Sequence, residues 1–563
     1  MNPIKKRWRL HPTLPQDIAS ALADYHPILR QILFNRGIQT AQQARQYLQA
    51  LPPPGTEADN LHDLPQAVER IRRAIRKGES IAIYGDYDAD GVTATALLVE
   101  VLGKLGAQVR GYIPNRFDEG YGLNVEALDA LRAEGVSLVI TVDCGIRSLR
   151  EADHSRQIGL DLIISDHHHP AQELPTALAV INPKQPADAY PDKDLAGVGL
   201  AYKLASAMLP TPEEAAETLD LVALGTVTDI APLVGENRAL VRAGMERLRQ
   251  PHRQGVMALI GAAGLKPGQI NASHIGYVLG PRLNAAGRLD SALAALSLLL
   301  EKEIGKAANL AQALDIQNRE RQQITREIQA RAEQIAQPEQ SDDLLLFAAH
   351  PEFNPGVVGL AASRLVETYY RPAIVAHIGE TYTRGSCRSI PEFHITQALD
   401  ECADLLEHHG GHAAAAGFTV RNEKLEELIQ RLKYIAASRL TGMHLRPVLH
   451  ADLELPLSAL RPELLEYLDW LQPTGHKNPE ATFISRDLAV KAFKAVGRDG
   501  AHLRLVVTDG WITFDAIGFN LGHWAQQMPR RVDILYSFEL NEYNGKLALQ
   551  LNLRDLKPSE TED

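Results

Sequence analysis

The chain has 563 residues, 45% hydrophobic and 23% charged, which excludes a disordered protein and is too long for one ordinary core, so three or four domains are expected. Fifty-eight Lys and Arg against 70 Asp and Glu give a formal net charge of -12, the wrong sign for non-specific coating of nucleic acid but compatible with a local basic groove or a metal-binding carboxylate cluster. Cys144, Cys387 and Cys402 form neither a disulfide framework nor a CxxC pair, the basic start leads into no apolar signal segment, and no apolar run approaches the ~20 residues that span a bilayer. A reducing cytoplasm and no membrane association are expected.

Along the chain, a Gln-rich helical opening runs to about residue 50, where Leu51-Pro-Pro-Pro-Gly55 breaks it. A helical stretch from residue 61 leads to a strand at 80–84, then a turn and an Ala/Leu/Val-rich helix at 92–105. Further apolar runs at 137–142, 160–164 and 177–181 each end at polar residues. Continuous buried strands alternating with helices read as a parallel α/β sheet, where ligands gather at the carboxyl ends of strands. A charged helix near 314–334 reads as a solvated connector ended by Pro338, and a second α/β segment follows at 344–440. From 483 to 556 apolar and polar residues alternate. Tyr543-Asn-Gly545 joins two such runs, 534–540 and 547–553, and Asn-Gly is a strong hairpin signal, so a small β-barrel is expected.

Four strand or helix ends carry acidic or imidazole groups. In Tyr84-Gly-Asp-Tyr-Asp-Ala-Asp-Gly91, carboxylates at every second position of an extended loop would point the same way, so Asp86, Asp88 and Asp90 would converge. An EF-hand opens similarly, but its twelfth position here is Leu97 where a bidentate Glu is required, and the segment before it is a strand. Asp143 follows an apolar run in Thr141-Val-Asp-Cys-Gly145. Asp166-His167-His168 follows another, and two histidines after Asp at a strand's carboxyl end favour metal over a structural histidine. Asp229 interrupts an apolar helical segment in Gly225-Thr-Val-Thr-Asp-Ile-Ala-Pro232 and must be paired or coordinated if buried. Five or six carboxylates with imidazole and no cysteine cage suit Mn²⁺ or Mg²⁺ over Zn²⁺, in number enough for two ions.

Those four blocks together resemble the DHH phosphoesterase superfamily. Ile113-Pro-Asn-Arg-Phe-Asp-Glu-Gly-Tyr-Gly122, Leu195-Ala-Gly-Val-Gly199, Leu279-Gly-Pro-Arg-Leu-Asn-Ala-Ala-Gly-Arg-Leu-Asp290, Gly385-Ser-Cys-Arg-Ser-Ile390 and Gly410-Gly-His-Ala-Ala-Ala-Ala-Gly417 are similar to motifs of its RecJ exonucleases. The resemblance implies an α/β fold: a parallel-sheet DHH phosphoesterase domain (59–305) after a helical extension (1–58), a connector helix (306–340), a DHH-associated α/β domain (341–445) and a C-terminal OB-fold β-barrel (446–563). It also implies a metal-dependent exonuclease degrading single-stranded DNA 5′ to 3′ in recombination and repair, with two Mn²⁺ or Mg²⁺ ions on Asp88, Asp90, Asp143, His167 and Asp229. Asp143 would bridge, Asp86 would be an added ligand, and His168 would contact the scissile phosphate or aid the leaving group. Smaller relatives carry histidine where this chain has Tyr84, so one ion's shell would be completed by Asp86 or water.

Phosphate binding would fall to Arg116, Arg282, Ser386, Arg388 and His412, with Gly410 and Gly411 admitting the backbone closely. A surface salt bridge competes with that role most closely at Arg116, whereas Arg388, in its Gly-Ser-x-Arg-Ser turn, favours binding. Of the barrel aromatics Trp511, Phe514 and Phe519, core packing is expected for most, with base stacking as the alternative. The chain departs from the family pattern at Cys387, at Asn354-Pro355 and in Gln472-Pro-Thr-Gly-His-Lys-Asn-Pro479. A monomer is expected, with a single-strand-binding protein or a helicase as loading partner. A phosphodiesterase of short oligonucleotides or cyclic dinucleotides would be shorter and lack the barrel, and a non-catalytic replication scaffold would have lost ligands that all four blocks retain.

Overall fold

The computed structural model describes residues 5–115, 122–338, 342–543 and 546–559. They form two compact units: residues 8–287, 291–312 and the described chain from 450 onward make one, and 288–290 and 313–449 with the N-terminal tip make the other. The 33-residue helix Ile304–Ala336 runs from one to the other, ten residues earlier in onset than the charge pattern suggested.

The larger unit contains a five-stranded sheet of β1 (Ser80–Gly85), β2 (Gln108–Tyr112), β3 (Val136–Val142), β4 (Asp161–Ser165) and β5 (Ala179–Ile181). All neighbours are parallel, in the order β2-β1-β3-β4-β5. The direction of strand addition reverses between β1 and β3, and in doubly wound sheets that reversal opens a crevice at the carboxyl ends. Strands β1, β3 and β4 are the continuous apolar runs of the sequence, buried on both faces. Edge strand β2 carries Gln108 and Arg110, so no apolar run marked it.

Helices α1 (Ala89–Lys104), α2 (Gly197–Met208) and α3 (Leu219–Thr228) are buried nearly all round. In α1 two buried hydroxyls turn back on the helix: Thr93 and Thr95 donate to the carbonyls of Ala89 and Gly91, both at 2.7 Å.

The barrel belongs to the same unit. Strands Phe483–Val496, His502–Thr508, Thr513–Gly518, Lys546–Pro558 and Arg531–Tyr543 pair in that order, and the last pairs back with the first, closing five strands. The two expected hairpin runs lie within the antiparallel pair Arg531–Tyr543 and Lys546–Pro558; Asn544 and Gly545 lie outside the described residues. Core packing holds for Phe514 alone among the three aromatics singled out. Trp511 is 94% exposed and Phe519 57%, because Trp511 sits in the turn between two barrel strands and Phe519 follows the end of one. Leu22, Leu29, Ile32, Leu33 and Leu48 from the N-terminal helices share one apolar core with Leu457, Leu464, Phe483, Leu505 and Leu553.

A buried arginine ties these parts together. Arg238, 2% exposed, donates Nη1 to the carbonyls of Leu471 (2.8 Å) and Pro473 (3.0 Å), Nη2 to Trp470 O (3.1 Å) and Nε to Tyr47 O (3.2 Å). Its guanidinium carbon lies 4.2 Å from the centre of the Tyr47 ring. Burial pushes its pKa down to about 10, which still leaves the cation intact at neutral pH.

The smaller unit has a mixed sheet in the order Leu406–His412, Ala415–Arg421, Tyr382–Arg388, Ala373–Ile378, Leu346–His350, with only the last two parallel. No helix among the described residues is long and apolar enough to cross a membrane.

Arg238→Met should lower stability by about 2 kcal/mol, because Trp470 and Tyr47 lose a buried donor and Leu471 and Pro473 are left with Asn478 alone. The denaturant midpoint measures it; an unchanged midpoint would show that these contacts contribute nothing net.

Candidate metal centre

The acidic and imidazole groups sit where the sheet topology puts a crevice. Asp86 directly follows β1, Asp143 directly follows β3, Asp166-His167-His168 directly follows β4, and Asp229 caps the C-terminus of α3. Among the described residues, three groups have ligand atoms within 4.8 Å of one another: Asp86, Asp88 and Asp143; Asp90, His167 and Asp229; and Asp143, His167 and His168. Asp143 and His167 each belong to two of them.

The convergence of Asp86, Asp88 and Asp90 by alternation in an extended loop is corrected by this geometry. Helix α1 begins at Ala89, with Asp88 as its N-cap: Asp88 Oδ1 accepts from the backbone N–H of Asp90 (2.9 Å) and Gly91 (3.2 Å). Asp90 is therefore in the first helical turn and faces His167 and Asp229, while Asp86 and Asp88 face Asp143. The helix onset splits one motif between two groups.

Two of the carboxylates, Asp88 and Asp90, are held by backbone donors. The Asp90 carboxylate accepts N–H bonds from Gly197 and Val198, both at 2.8 Å, at the N-terminus of α2. A Cβ on Gly197 would stand 2.9 Å from both Asp90 Oδ2 and Asp143 Cβ, and one on Gly225 only 2.3 Å from Thr93 Oγ1 and 3.0 Å from Asp90 Oδ1, so two glycines admit the buried carboxylate. Asn237 keeps the approach to this cradle in place, accepting from Ala196 N–H (3.2 Å) and donating to Asp194 O (2.6 Å) and Pro232 O (3.2 Å). Asn284 accepts the N–H of Ala89 at 2.7 Å and so anchors the Asp88 turn.

The histidine pair is clamped at both carbonyls by the segment after β5. Lys184 Nζ donates to His167 O at 2.6 Å and Asn182 Nδ2 to His168 O at 2.9 Å, while Asn182 Oδ1 accepts from Lys184 N–H. His167 Nε2 then lies 3.0 Å from Asp143 Oδ1, 3.7 Å from Asp229 and 3.9 Å from Asp90. Asp166 belongs to none of the three groups: it accepts from Ile146 N–H (2.9 Å), His168 N–H (3.0 Å) and His168 Nδ1 (2.8 Å), and so orients the second histidine. Gly197, Asn182, Lys184, Asn237 and Asn284 were not singled out individually from the sequence; the available signal was the runs Ala-Gly-Val-Gly and Ile-Asn-Pro-Lys at element ends.

The electrostatics are those of a place for cations. Burial and the neighbouring Asp88 push Asp90 up to about 7. Burial and the charge of Asp90 push both Asp143 and Asp229 well above the usual carboxylate range. Burial and the charge of His168 push His167 down to about 3, so its imidazole is neutral with a lone pair to give. Asp143 Oδ1 and His167 Nε2 are buried and make no hydrogen bond. Burial opposes a charge on His168, but the hydrogen bond and charge of Asp166 outweigh it and raise its pKa. Carboxylate oxygens with one neutral imidazole fit hard divalent ions such as Mn²⁺ or Mg²⁺.

The remaining site expectations fall elsewhere. Tyr84 is buried, donates to Gly122 O at 3.0 Å and accepts from Asn124 at 3.1 Å, so its hydroxyl belongs to the core packing. Arg282 Nη1 donates to Val278 O at 2.7 Å within its own helix. Arg116 lies outside the described residues. In the smaller unit, Gly417 stands between Gly410 and Ser386 in register, and Ala415 between His412 and Arg388. Ser386, Arg388 and His412 thereby share one sheet face, with Arg388 Nη1 donating to Ser386 Oγ at 3.1 Å.

Carboxylates whose pKa values rise on folding hold protons that the unfolded chain has already released. In chelator, stability should therefore fall as pH climbs from the unfolded carboxylate value near 4 through the folded Asp90 value of about 7. Asp143→Asn should flatten that slope and gain about 1 kcal/mol at pH 8, while Mn²⁺ stabilises only the unsubstituted protein. Thermal unfolding at pH 5 and pH 8 checks this; equal slopes for the two proteins would refute the shared repulsion.

Comparison with known proteins gives three consecutive domain matches: the DHH family N-terminal domain over residues 80–226, the DHHA1 domain over 342–438 and the RecJ OB domain over 451–555. The single-stranded-DNA-specific exonuclease RecJ of Bacillus subtilis (strain 168) is 38% identical over 562 residues, covering 99% of this chain and 71% of the relative. The exonuclease of the same description from Escherichia coli (strain K12) is 35% identical, covering 99% of this chain and 100% of the relative. A crystal structure of RecJ from Thermus thermophilus in complex with Mn²⁺ superposes with a TM-score of 0.84 at 30% identity, covering 99% of this chain and 80% of that one. A structure of exonuclease RecJ bound to manganese matches with a TM-score of 0.59 at 35% identity, over 68% of this chain and 98% of that one. With its full length aligned to these relatives and its three modules in their order, the chain belongs to the RecJ family.

Proposed function

We propose that this protein is a metal-dependent exonuclease that hydrolyses single-stranded DNA from the 5′ end, acting in recombination and repair. The observation that carries the reading is the sharing of Asp143 between two ligand groups at the switch point of the parallel sheet, beside a histidine held neutral for coordination.

Asp86 and Asp88 with Asp143 would hold one ion, and Asp90, His167 and Asp229 with Asp143 the other. Two Mn²⁺ or Mg²⁺ ions so held would supply an acidified water and neutralise charge on the phosphate oxygens. Asp143 faces both groups, and its backbone N–H is fixed to Ser165 O at 3.1 Å, which sets its carboxylate between β3 and β4. His168, whose pKa the hydrogen bond and charge of Asp166 raise, touches the scissile phosphate or hands a proton to the leaving oxygen. Arg282, Ser386, Arg388, His412 and the Gly410-Gly411 backbone bind the DNA phosphates, joined by Arg116. The exposed Trp511 and Phe519 on the closed barrel offer ring faces on which bases stack.

The wider setting belongs to the same proposal. The protein works as a monomer in the cytoplasm, consistent with three buried cysteines and no pair among them. Its net charge of -12 opposes unaided adsorption on DNA, which favours loading by a single-strand-binding protein or a helicase.

The test uses single-stranded and blunt duplex oligonucleotides, end-labelled, with Mn²⁺, Mg²⁺ or chelator. Mononucleotides should leave the 5′ end of the single strand alone, and Asp143→Ala should lower the rate by about a thousandfold or more. Hydrolysis of dinucleotides with long DNA untouched would assign a short-substrate phosphodiesterase instead; binding without hydrolysis would assign a scaffold.

A further inference from the structure

The helix that delivers Asp229 ends in an arrangement at odds with its own sequence. Ile230 N–H bonds to Val227 O at 3.2 Å and Ala231 N–H to Thr226 O at 3.2 Å, the two bonds of a Schellman cap. The residue after the cap must then be left-handed, a place that favours glycine, and Ile230 occupies it with φ +62°. Ten described non-glycine residues have positive φ, and Ile230 is the sole β-branched one among them. A branched Cβ crowds the backbone there, so the isoleucine costs the free protein stability.

The side chain gives little in return within the chain, because Ile230 is 68% exposed. The strained conformation is nonetheless locked. His476 Nδ1 donates to Ile230 O at 2.9 Å, and Leu233 N–H donates to His476 O at 2.8 Å, so the loop 472–479 grips both sides of the turn. An apolar group that is costly, exposed and held immobile next to a residue of the metal cluster has a use outside the folded chain.

We infer that Ile230 is a substrate-positioning residue whose side chain packs against the base of the nucleotide being released. This rests on the nuclease activity proposed above. The chemistry suits the place: Asp229 and its cluster face the phosphodiester, and the next residue offers a rigid apolar surface to the adjoining base. Isoleucine makes no hydrogen bonds there, so the contact serves all four bases alike.

The test compares the full-length protein with Ile230→Gly, Ile230→Asn and Ile230→Val on 5′-phosphorylated single strands whose first nucleotide is either normal or abasic. Glycine and asparagine both accept the left-handed conformation, so the Tm of the metal-free protein should hold or rise by about 2 °C. Mn²⁺ affinity by calorimetry should be unchanged. On the normal strand kcat/KM should fall about tenfold, with valine retaining activity, while the preference of the unsubstituted protein for the normal over the abasic end should shrink to near one in the glycine variant. Loss of Tm would make Ile230 a packing residue and overturn the inference, as would full activity of the glycine variant or an unchanged preference for the base. Absence of Mn²⁺-dependent hydrolysis by the unsubstituted protein would instead sink the nuclease reading on which the inference stands.

Discussion

Mutual repulsion among carboxylates that the fold buries together is the constraint on which the rest of the larger unit depends. Asp86, Asp90 and Asp143 are each at most 3% exposed, and water can do little to screen them from one another. Among the described residues, no lysine or arginine stands in salt-bridge contact with Asp90 or Asp143; their near neighbours of that kind are the histidines. What the protein supplies is backbone dipoles: the first N–H groups of α2 on Asp90 and of α1 on Asp88. Neutral donors soften the repulsion without cancelling it, which leaves the net negative field a divalent ion requires. A fully compensating cation would have stabilised the empty site and closed it to metal.

Holding those dipoles in place explains sequence features otherwise without a role. The start of helix Gly235–Arg249 sends three consecutive side chains to three parts of the unit. Glu236 meets Tyr190 and Lys203, which both also hold Thr56 O, so it secures the segment before the sheet. Asn237 fixes the loops entering α2 and leaving α3. Arg238 reaches past the catalytic core to residues 470–473. A displacement of this one turn would be felt at Asp90, at the N-terminal helices and at the barrel together.

Much of this was legible in the chain and some was not. Strands β1, β3 and β4 were visible as apolar runs because burial on both faces forbids alternation. The candidate site residues were visible because Asp and His at the ends of apolar segments, three strands and one helix, have no structural reason to recur four times. Invisible were the features set by backbone donors: no propensity distinguishes Gly197 or Val198 as the residues whose N–H groups meet Asp90. The division of Asp86, Asp88 and Asp90 was also hidden, since the extended and helical readings of Asp88-Ala-Asp90 differ only by where α1 begins. Edge strand β2 was missed for the opposite reason, its polar Gln108 and Arg110 being tolerated where one side is open. Trp511 and Phe519 defeated the general expectation that aromatics fill cores, because each lies outside a strand, one in a turn and one just past a strand end.

Where the chain leaves regular structure, side chains gain freedom of direction at the expense of backbone comfort. Half of the ten left-handed non-glycine residues are Asp or Asn, whose short polar side chains tolerate that conformation. Asp143 is one of them, at φ +63° directly beyond β3, and the turn swings its carboxylate out of the alternating pleat toward both ligand groups. A helix or strand continuing through that point would have aimed the side chain into a packed face, so the shared carboxylate can exist only where the strand stops. The same logic places Asp88 at the first residue before a helix and Asp229 at the first residue after one. The site is therefore assembled from terminations, and its precision comes from the caps and hydrogen bonds that make each termination sharp.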